Sequence, residues 1–250
     1  MNRPTWLMAR PVAHRGLHDK ASGLIENSCS AAQAAIQKDY AIECDIQFSR
    51  DGEAMVFHDF TLERLTTGEG RVDALSASEL GALTLTGSQD KIPTLTEFLA
   101  LIAGHVPLVC EIKSRFDGDL RLTQRAIAVV AAYDGPLVFK SFDPALVAAL
   151  RRLAPHIPRG IVSQSNYQEA GWEMLSPAQI FAMENLNHWD ETQPDFISWK
   201  VRDLRNGTPY VARKLGGVPL MTWTVRTNED IEEARRYADQ IVFENCSIGQ

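Results

Sequence analysis

Three carboxylates stand in surroundings where carboxylates are disfavoured. Glu43 and Asp45 lie within AIECDIQF (41–48), and Glu111 lies within PLVCEIK (107–113). Their chain neighbours are Ile42, Cys44, Ile46, Cys110 and Ile112. An ionised carboxylate in an apolar strand needs a partner, and three close together would repel one another. A hard divalent cation with oxygen ligands resolves both problems. Mg²⁺ or Ca²⁺ therefore suits this donor set better than zinc, which favours nitrogen and sulfur. Taken singly, Glu111–Lys113 or Asp45–Arg15 reads as an ordinary ion pair. The convergence of four separate segments favours the metal site.

Two histidines end strand-like segments. His14 begins HRG (14–16), and His58 begins HD (58–59). A side chain that titrates near neutral pH can take a proton from an attacking oxygen and give one to a leaving alcohol. His14 and His58 are accordingly the candidate acid–base pair. Cations complete the set. The planar fork of Arg15 can grip two phosphate oxygens, and Lys113 can act as a point charge. Lys140 in VFKSF and Lys200 in ISWKV either reach the same site or snorkel outward. Trp223, with Trp199, Phe142 and Phe116, could form an apolar wall or stack a choline-like head group. His18 could line the site, whereas His105, His156 and His188 read as surface residues.

Placing these groups together requires many short strands. The extended runs are 9–14, 41–48, 107–113, 136–142, 158–163, 195–201, 219–225 and 240–244. Amphipathic patterns separate most of them, at 27–39, 94–104, 121–134, 144–154 and 228–238. Ser28 or Asn27 is the expected cap of the first helix, Thr94 (with Glu97) of the second and Asn228 of the last. Strands alternating with helices over this length predict an α/β fold, the TIM (β/α)₈ barrel, whose strand ends carry the active site. AMVFHD (54–59) breaks the alternation. Only a short SRDG turn precedes it, which suits an antiparallel hairpin arm after the second strand rather than a parallel crossover. Residues 60–92 then read as a small, irregular, mostly polar insertion that shapes the substrate site. The expected organisation is one domain over 1–250.

Composition removes other classes. The 250 residues are 45% hydrophobic and carry a net charge of −7. No basic excess exists to neutralise a nucleic-acid backbone. Four cysteines without metal spacing exclude a disulfide framework. No apolar stretch is long enough to span a bilayer, and the N-terminal residues lack a secretion h-region. The expectation is a cytoplasmic protein with no stable membrane association, with homo-oligomerisation left open.

These pieces together resemble the glycerophosphodiester phosphodiesterases. The carriers are AHRG (13–16), ENS (26–28), IECDIQFSRDG (42–52), VFHD (56–59), IPTLTEFL (92–99), EIK (111–113), SF (141–142) and TWTV (222–225). They fall in the family's order across nearly the whole chain. The resemblance implies a TIM barrel with an insertion after HD. It implies His14 and His58 as acid and base, Glu43, Asp45 and Glu111 as ligands of Mg²⁺ or Ca²⁺, and Arg15 and Lys113 as phosphate contacts. It also implies Glu26 as a further ligand or an outer partner of the ligands. The implied substrates are small glycerophosphodiesters of lipid and glycerol metabolism, such as glycerophosphocholine and glycerophosphoethanolamine. The implied products are sn-glycerol 3-phosphate and an alcohol, formed through a cyclic phosphate. Lysophospholipase D chemistry and a catalytically silent ligand-binding barrel are the alternatives. The chain departs from the family pattern at FENCSIG (243–249), where a Thr-Asp pair and a proline are usual, and at Arg226, where Asn is common.

Overall fold

Each run of β-branched and apolar residues becomes a strand, and each capped amphipathic run becomes a helix. The computed structural model describes residues 4–169 and 171–248. Its strands are β1 (Val12–Ala13), β2 (Ala41–Phe48), β3 (Ala54–Val56), β4 (Leu108–Ile112), β5 (Leu137–Ser141), β6 (Arg159–Ser163), β7 (Phe196–Lys200), β8 (Leu220–Val225) and β9 (Gln240–Phe243). Helices α1 (Cys29–Gln37), α2 (Ala77–Ala82), α3 (Leu95–Ile102), α4 (Arg121–Val130) and α5 (Pro144–Leu153) come first. They are followed by α6 (Pro177–Glu184), α7 (Trp189–Thr192), α8 (Gly207–Lys214) and α9 (Asn228–Tyr237). The sheet order is β1-β9-β8-β7-β6-β5-β4-β2-β3, and β1 also pairs with β2. Apart from β3 the order is circular, with helices between successive strands. That is the (β/α)₈, or TIM, barrel. β3 runs antiparallel to β2, with Ile46 opposite Val56 and Phe48 opposite Ala54. The hairpin arm is thus as expected.

The chain comprises two compact units. One is Val12–Lys113 with Leu120–Leu137; the other is Met1–Pro11, Ser114–Asp119 and Val138–Gln250.

In the first unit, β2 and β4 pair in parallel register, with Asp45 opposite Glu111 and Cys44 opposite Cys110. Both cysteines are free and fully buried, as expected of structural thiols. Ser28 caps α1 by accepting from the Ala31 N–H. Thr94 and Glu97 form a reciprocal capping box on α3. The insertion is more ordered than its composition suggests. It carries α2, capped by Ser76 and Glu79, and bridges Thr61 to Arg71, Thr66 to Leu85 and Thr84 to Lys91. Leu62, Leu65, Val72, Leu80, Leu85 and Ile92 bury against Ile25, Met55 and Phe57. The segment is irregular and mostly polar, as its sequence suggests, but it also encloses a small core of its own. Its scattered leucines are the inner face of that core.

The second unit holds most of β5 and all of β6 to β9. Gln240 donates through Nε2 to the carbonyls of Leu7 and Arg10, which fastens the N-terminal segment. Thr227 caps α9 by accepting from the Asp230 N–H. Asn228, the expected cap, is the first helical residue instead. His188 is buried rather than on the surface. It hydrogen-bonds Thr192 at 3.1 Å, and burial pushes its imidazole down to about 4. It is a structural residue of the segment between α6 and α7. Among the described residues, no helix is long and apolar enough to cross a membrane.

Candidate active site

The loop after β1 is built around two left-handed residues. Arg15 has φ 56° and Gly16 φ 81°. A side chain at Gly16 would be strained by that φ, and its Cβ would stand 2.9 Å from Ala31. The tight turn aims the Arg15 N–H at Glu43 Oε2, 3.1 Å away. His14 Nε2 lies 3.9 Å from the same oxygen. His14 and Arg15 thus reach the middle of β2 from its neighbouring strand end.

Glu43, Asp45 and Glu111 converge as their register dictates. Glu43 and Asp45 project to one face of β2, and Asp45 stands opposite Glu111 on β4. All three are buried, and each offers an oxygen within 4.8 Å of the others. Lys113 Nζ sits between two of them, 2.7 Å from Asp45 Oδ1 and 2.5 Å from Glu111 Oε1. Arg15 Nε lies 3.2 Å from Asp45 Oδ2. Burial alone would raise the Asp45 carboxyl. Lys113, followed by His58, Arg15 and His14, outweighs it and holds the group well below the usual carboxylate range. Lys113 shows the same balance reversed. Burial alone would lower its ammonium, and Asp45 and Glu111 hold it above its ordinary value.

His58 follows β3 on the hairpin arm. The arm is tied to β2 by Phe57 N–H donating to Asp45 O at 3.0 Å and by Gln47 Nε2 donating to His58 O at 2.8 Å. His58 Nδ1 is 2.6 Å from Asp59 Oδ1. Burial, then the nearby Lys113 charge, lowers the imidazole below 6.5 despite the carboxylates of Asp45 and Asp59. Glu26 meets Arg15 Nη1 at 2.5 Å. Arg64 and Arg15 overcome the effect of burial and hold Glu26 at about 2.

His14, Arg15, Glu26, Glu43, Asp45, His58, Glu111 and Lys113 therefore all belong to the first unit and gather around one carboxylate cluster. Three residues of the candidate set belong to the second unit. Lys140 is buried on β5. Lys200 ion-pairs with Glu169 at 2.7 Å. Trp223 donates through Nε1 to the Ser198 carbonyl at 3.2 Å. Trp223 also packs on Phe142 at 5.4 Å between centroids, and Phe142 and Phe116 both pack on Trp172. Trp199 is fully buried. Arg226 and Glu244, the latter within the divergent FENCSIG segment, are each other's partners at 2.6 Å.

Asn27 and Arg64 escaped sequence reasoning. Asn27, also left-handed at φ 59°, is not the helix cap. Its side chain donates to Asp45 Oδ2 at 3.0 Å and accepts from the Asp45 N–H at 3.1 Å. The pair of bonds clamps the central carboxylate. Asparagine tolerates this backbone region better than most residues, and that was the available signal. Arg64 bridges Glu26 and Asp59, and no local pattern reveals it.

The donor set suits a divalent cation. Glu26, Glu43, Asp45, Asp59 and Glu111, counted as ionised, face the cations Arg15, Arg64 and Lys113. Oxygen-only ligation is what Mg²⁺ and Ca²⁺ prefer.

The model of the glycerophosphoryl diester phosphodiesterase family matches residues 14–243. A glycerophosphodiester phosphodiesterase of Caldanaerobacter subterraneus is 28% identical, covering 88% of this chain and 87% of its own length. Glycerophosphodiester phosphodiesterase 1 of Bos taurus is 33% identical over 88% of this chain and 72% of its own. The crystallised Oleispira antarctica phosphodiesterase, solved with the product sn-glycerol-3-phosphate, superposes with a TM-score of 0.77. It is 21% identical and covers 94% of this chain and 92% of its own. Barrel and family match together define an enzyme, a hydrolase of phosphoric diesters. More narrowly, the chain belongs to the glycerophosphoryl diester phosphodiesterase family.

Proposed function

We propose that the chain hydrolyses small glycerophosphodiesters, glycerophosphocholine and glycerophosphoethanolamine among them, to sn-glycerol 3-phosphate and the free alcohol. The observation that carries this reading is the buried cluster of Glu43, Asp45 and Glu111, with oxygens within 4.8 Å of one another, beside two histidines. These three residues would hold one Mg²⁺ or Ca²⁺, which would draw charge from the phosphate oxygens. Arg15 and Lys113 hold the phosphate. One histidine of the pair His14 and His58 takes the proton from the glycerol 2-hydroxyl as that oxygen attacks phosphorus. The other gives a proton to the departing alcohol as its P–O bond breaks. Water then opens the cyclic phosphate, and the proton roles reverse. The domain is one catalytic barrel with its insertion, acting on a dissolved substrate in the cytoplasm.

The test is release of sn-glycerol 3-phosphate from both diesters, with EDTA and after Mg²⁺ or Ca²⁺ is restored. Metal-dependent release supports the reading. Release that is indifferent to EDTA refutes the metal assignment. No release from either diester refutes the substrate assignment.

A further inference from the structure

Arg64 lies in the insertion, outside the residues assigned above to bind or react. Its guanidinium makes two forks. Nε and Nη2 hold the Asp59 carboxylate, at 2.5 Å to Oδ2 and 3.0 Å to Oδ1. Nη1 and Nη2 hold the Glu26 carboxylate, each at 2.8 Å. Each carboxylate uses an oxygen again on the far side. Asp59 Oδ1 bonds His58 Nδ1 at 2.6 Å, and Glu26 Oε1 bonds Arg15 Nη1 at 2.5 Å. Arg15 continues to Asp45 through Nε and to Glu43 through its N–H. An unbroken chain of charge-assisted contacts therefore joins the hairpin arm to the turn that carries His14 and Arg15, with Arg64 at its centre.

We propose that Arg64 is a positioning residue: through Asp59 and Glu26 it fixes His58 relative to the turn bearing His14 and Arg15. This rests on the reading of those histidines as proton carriers. A planar fork suits the task, because it sets orientation as well as distance. Asp59, gripped on both oxygens, accepts the His58 Nδ1 proton. That selects one tautomer and leaves Nε2 for the reacting oxygen. Glu26, gripped likewise, holds Arg15 at the angle from which it meets Asp45. Lysine would supply the charge without either fork. The Arg64 side chain is 46% exposed, so solvent screens its ion pairs, and the effect that sets it apart from a merely stabilising residue is on geometry.

The experiment compares the parent with R64K and R64A by steady-state kinetics, thermal unfolding and ¹⁵N-resolved NMR of the His58 ring. R64K should unfold near the parental temperature and R64A somewhat below it, since Glu26 and Asp59 then lose a partner. Their kcat should fall roughly 10–100-fold, the scale of small misplacements and lost outer partners, with KM little changed. Free guanidinium at non-denaturing concentration should restore part of the R64A rate and none of the R64K rate. Parental kcat in both variants, or a loss confined to KM, would overturn the proposal. If R64A does not fold, R64K carries the kinetic test alone. A parent without diester hydrolysis sinks the proposed function instead, and NMR then decides Arg64. Loss of the hydrogen-bonded Nδ1 proton signal of His58 in R64K supports the role, and an unchanged signal refutes it.

Discussion

Glu43 sits between a histidine and a backbone N–H on the face that Asp45 shares. Substituting Gln keeps its shape and removes one negative charge from the carboxylate cluster. Glu43→Gln should therefore demand more Mg²⁺ or Ca²⁺ for half-maximal activity, and a metal titration superposing on the parental one would count against the ligand role. His14→Ala and His58→Ala should each lower kcat by roughly 10²–10⁴-fold, the range for a lost general acid or base. Turnover near the parental value in both would refute the assignment. These residues were legible because chemistry betrays them. A charge inside an apolar run, or a histidine at a strand end, conflicts with its surroundings unless it has a task. Asn27 and Arg64 carry no such conflict. Each is an ordinary loop residue with a partner far along the chain, Asp45 for Asn27 and Glu26 for Arg64, and only folding reveals that pairing.

Strands and crossover helices were readable from periodicity, since a buried parallel strand writes itself as an unbroken apolar run and a capping box announces a helix start. The hairpin arm followed from the shortness of its turn. The small core of the insertion was not legible because its leucines recur with neither helical nor strand period. Their common direction is set by irregular backbone that bridges Thr61, Thr66 and Thr84 to distant partners. Leu80 is fully buried in that small core. Leu80→Ala should cost about 2–5 kcal/mol through lost burial and the cavity left behind. Urea unfolding checks this, and a midpoint within error of the parent would show that the insertion collapses around the gap.

At the scale of the molecule, an acidic pI near 5.4 coexists with a tight set of internal ion pairs. Glu26 is held at about 2, against 4.5 for an ordinary glutamate. A depressed carboxyl stabilises the fold fully above its unfolded value, and that stabilisation is lost as pH falls through the folded one. The urea midpoint should thus decline between about pH 4.5 and 2. Glu26→Gln, having nothing to titrate there, should flatten that decline. An acid limb of the same slope in both proteins would assign the loss to other groups. Among the described residues no helix is long and apolar enough to cross a membrane, and composition argued against a nucleic-acid partner. Composition was silent on how the charges pair, because net charge is a sum over groups whose positions it does not record.

The small core of the insertion includes Ile25, Met55 and Phe57 as well as the insertion's own leucines. Ile25 adjoins Glu26, and Phe57 adjoins His58. This small core is therefore bolted to two of the residues proposed to govern proton transfer, so a local opening of it ahead of the barrel would reach them. Proteins open locally in cooperative patches at less than the global unfolding free energy. Opening of this patch would dismantle the proton-transfer geometry while the remaining strands stay paired. Heat inactivation should accordingly precede loss of the far-ultraviolet circular dichroism signal, and amides of 62–85 should exchange with solvent faster than those of β2 and β4. Coincident inactivation and unfolding would instead mean that the insertion melts only with the whole.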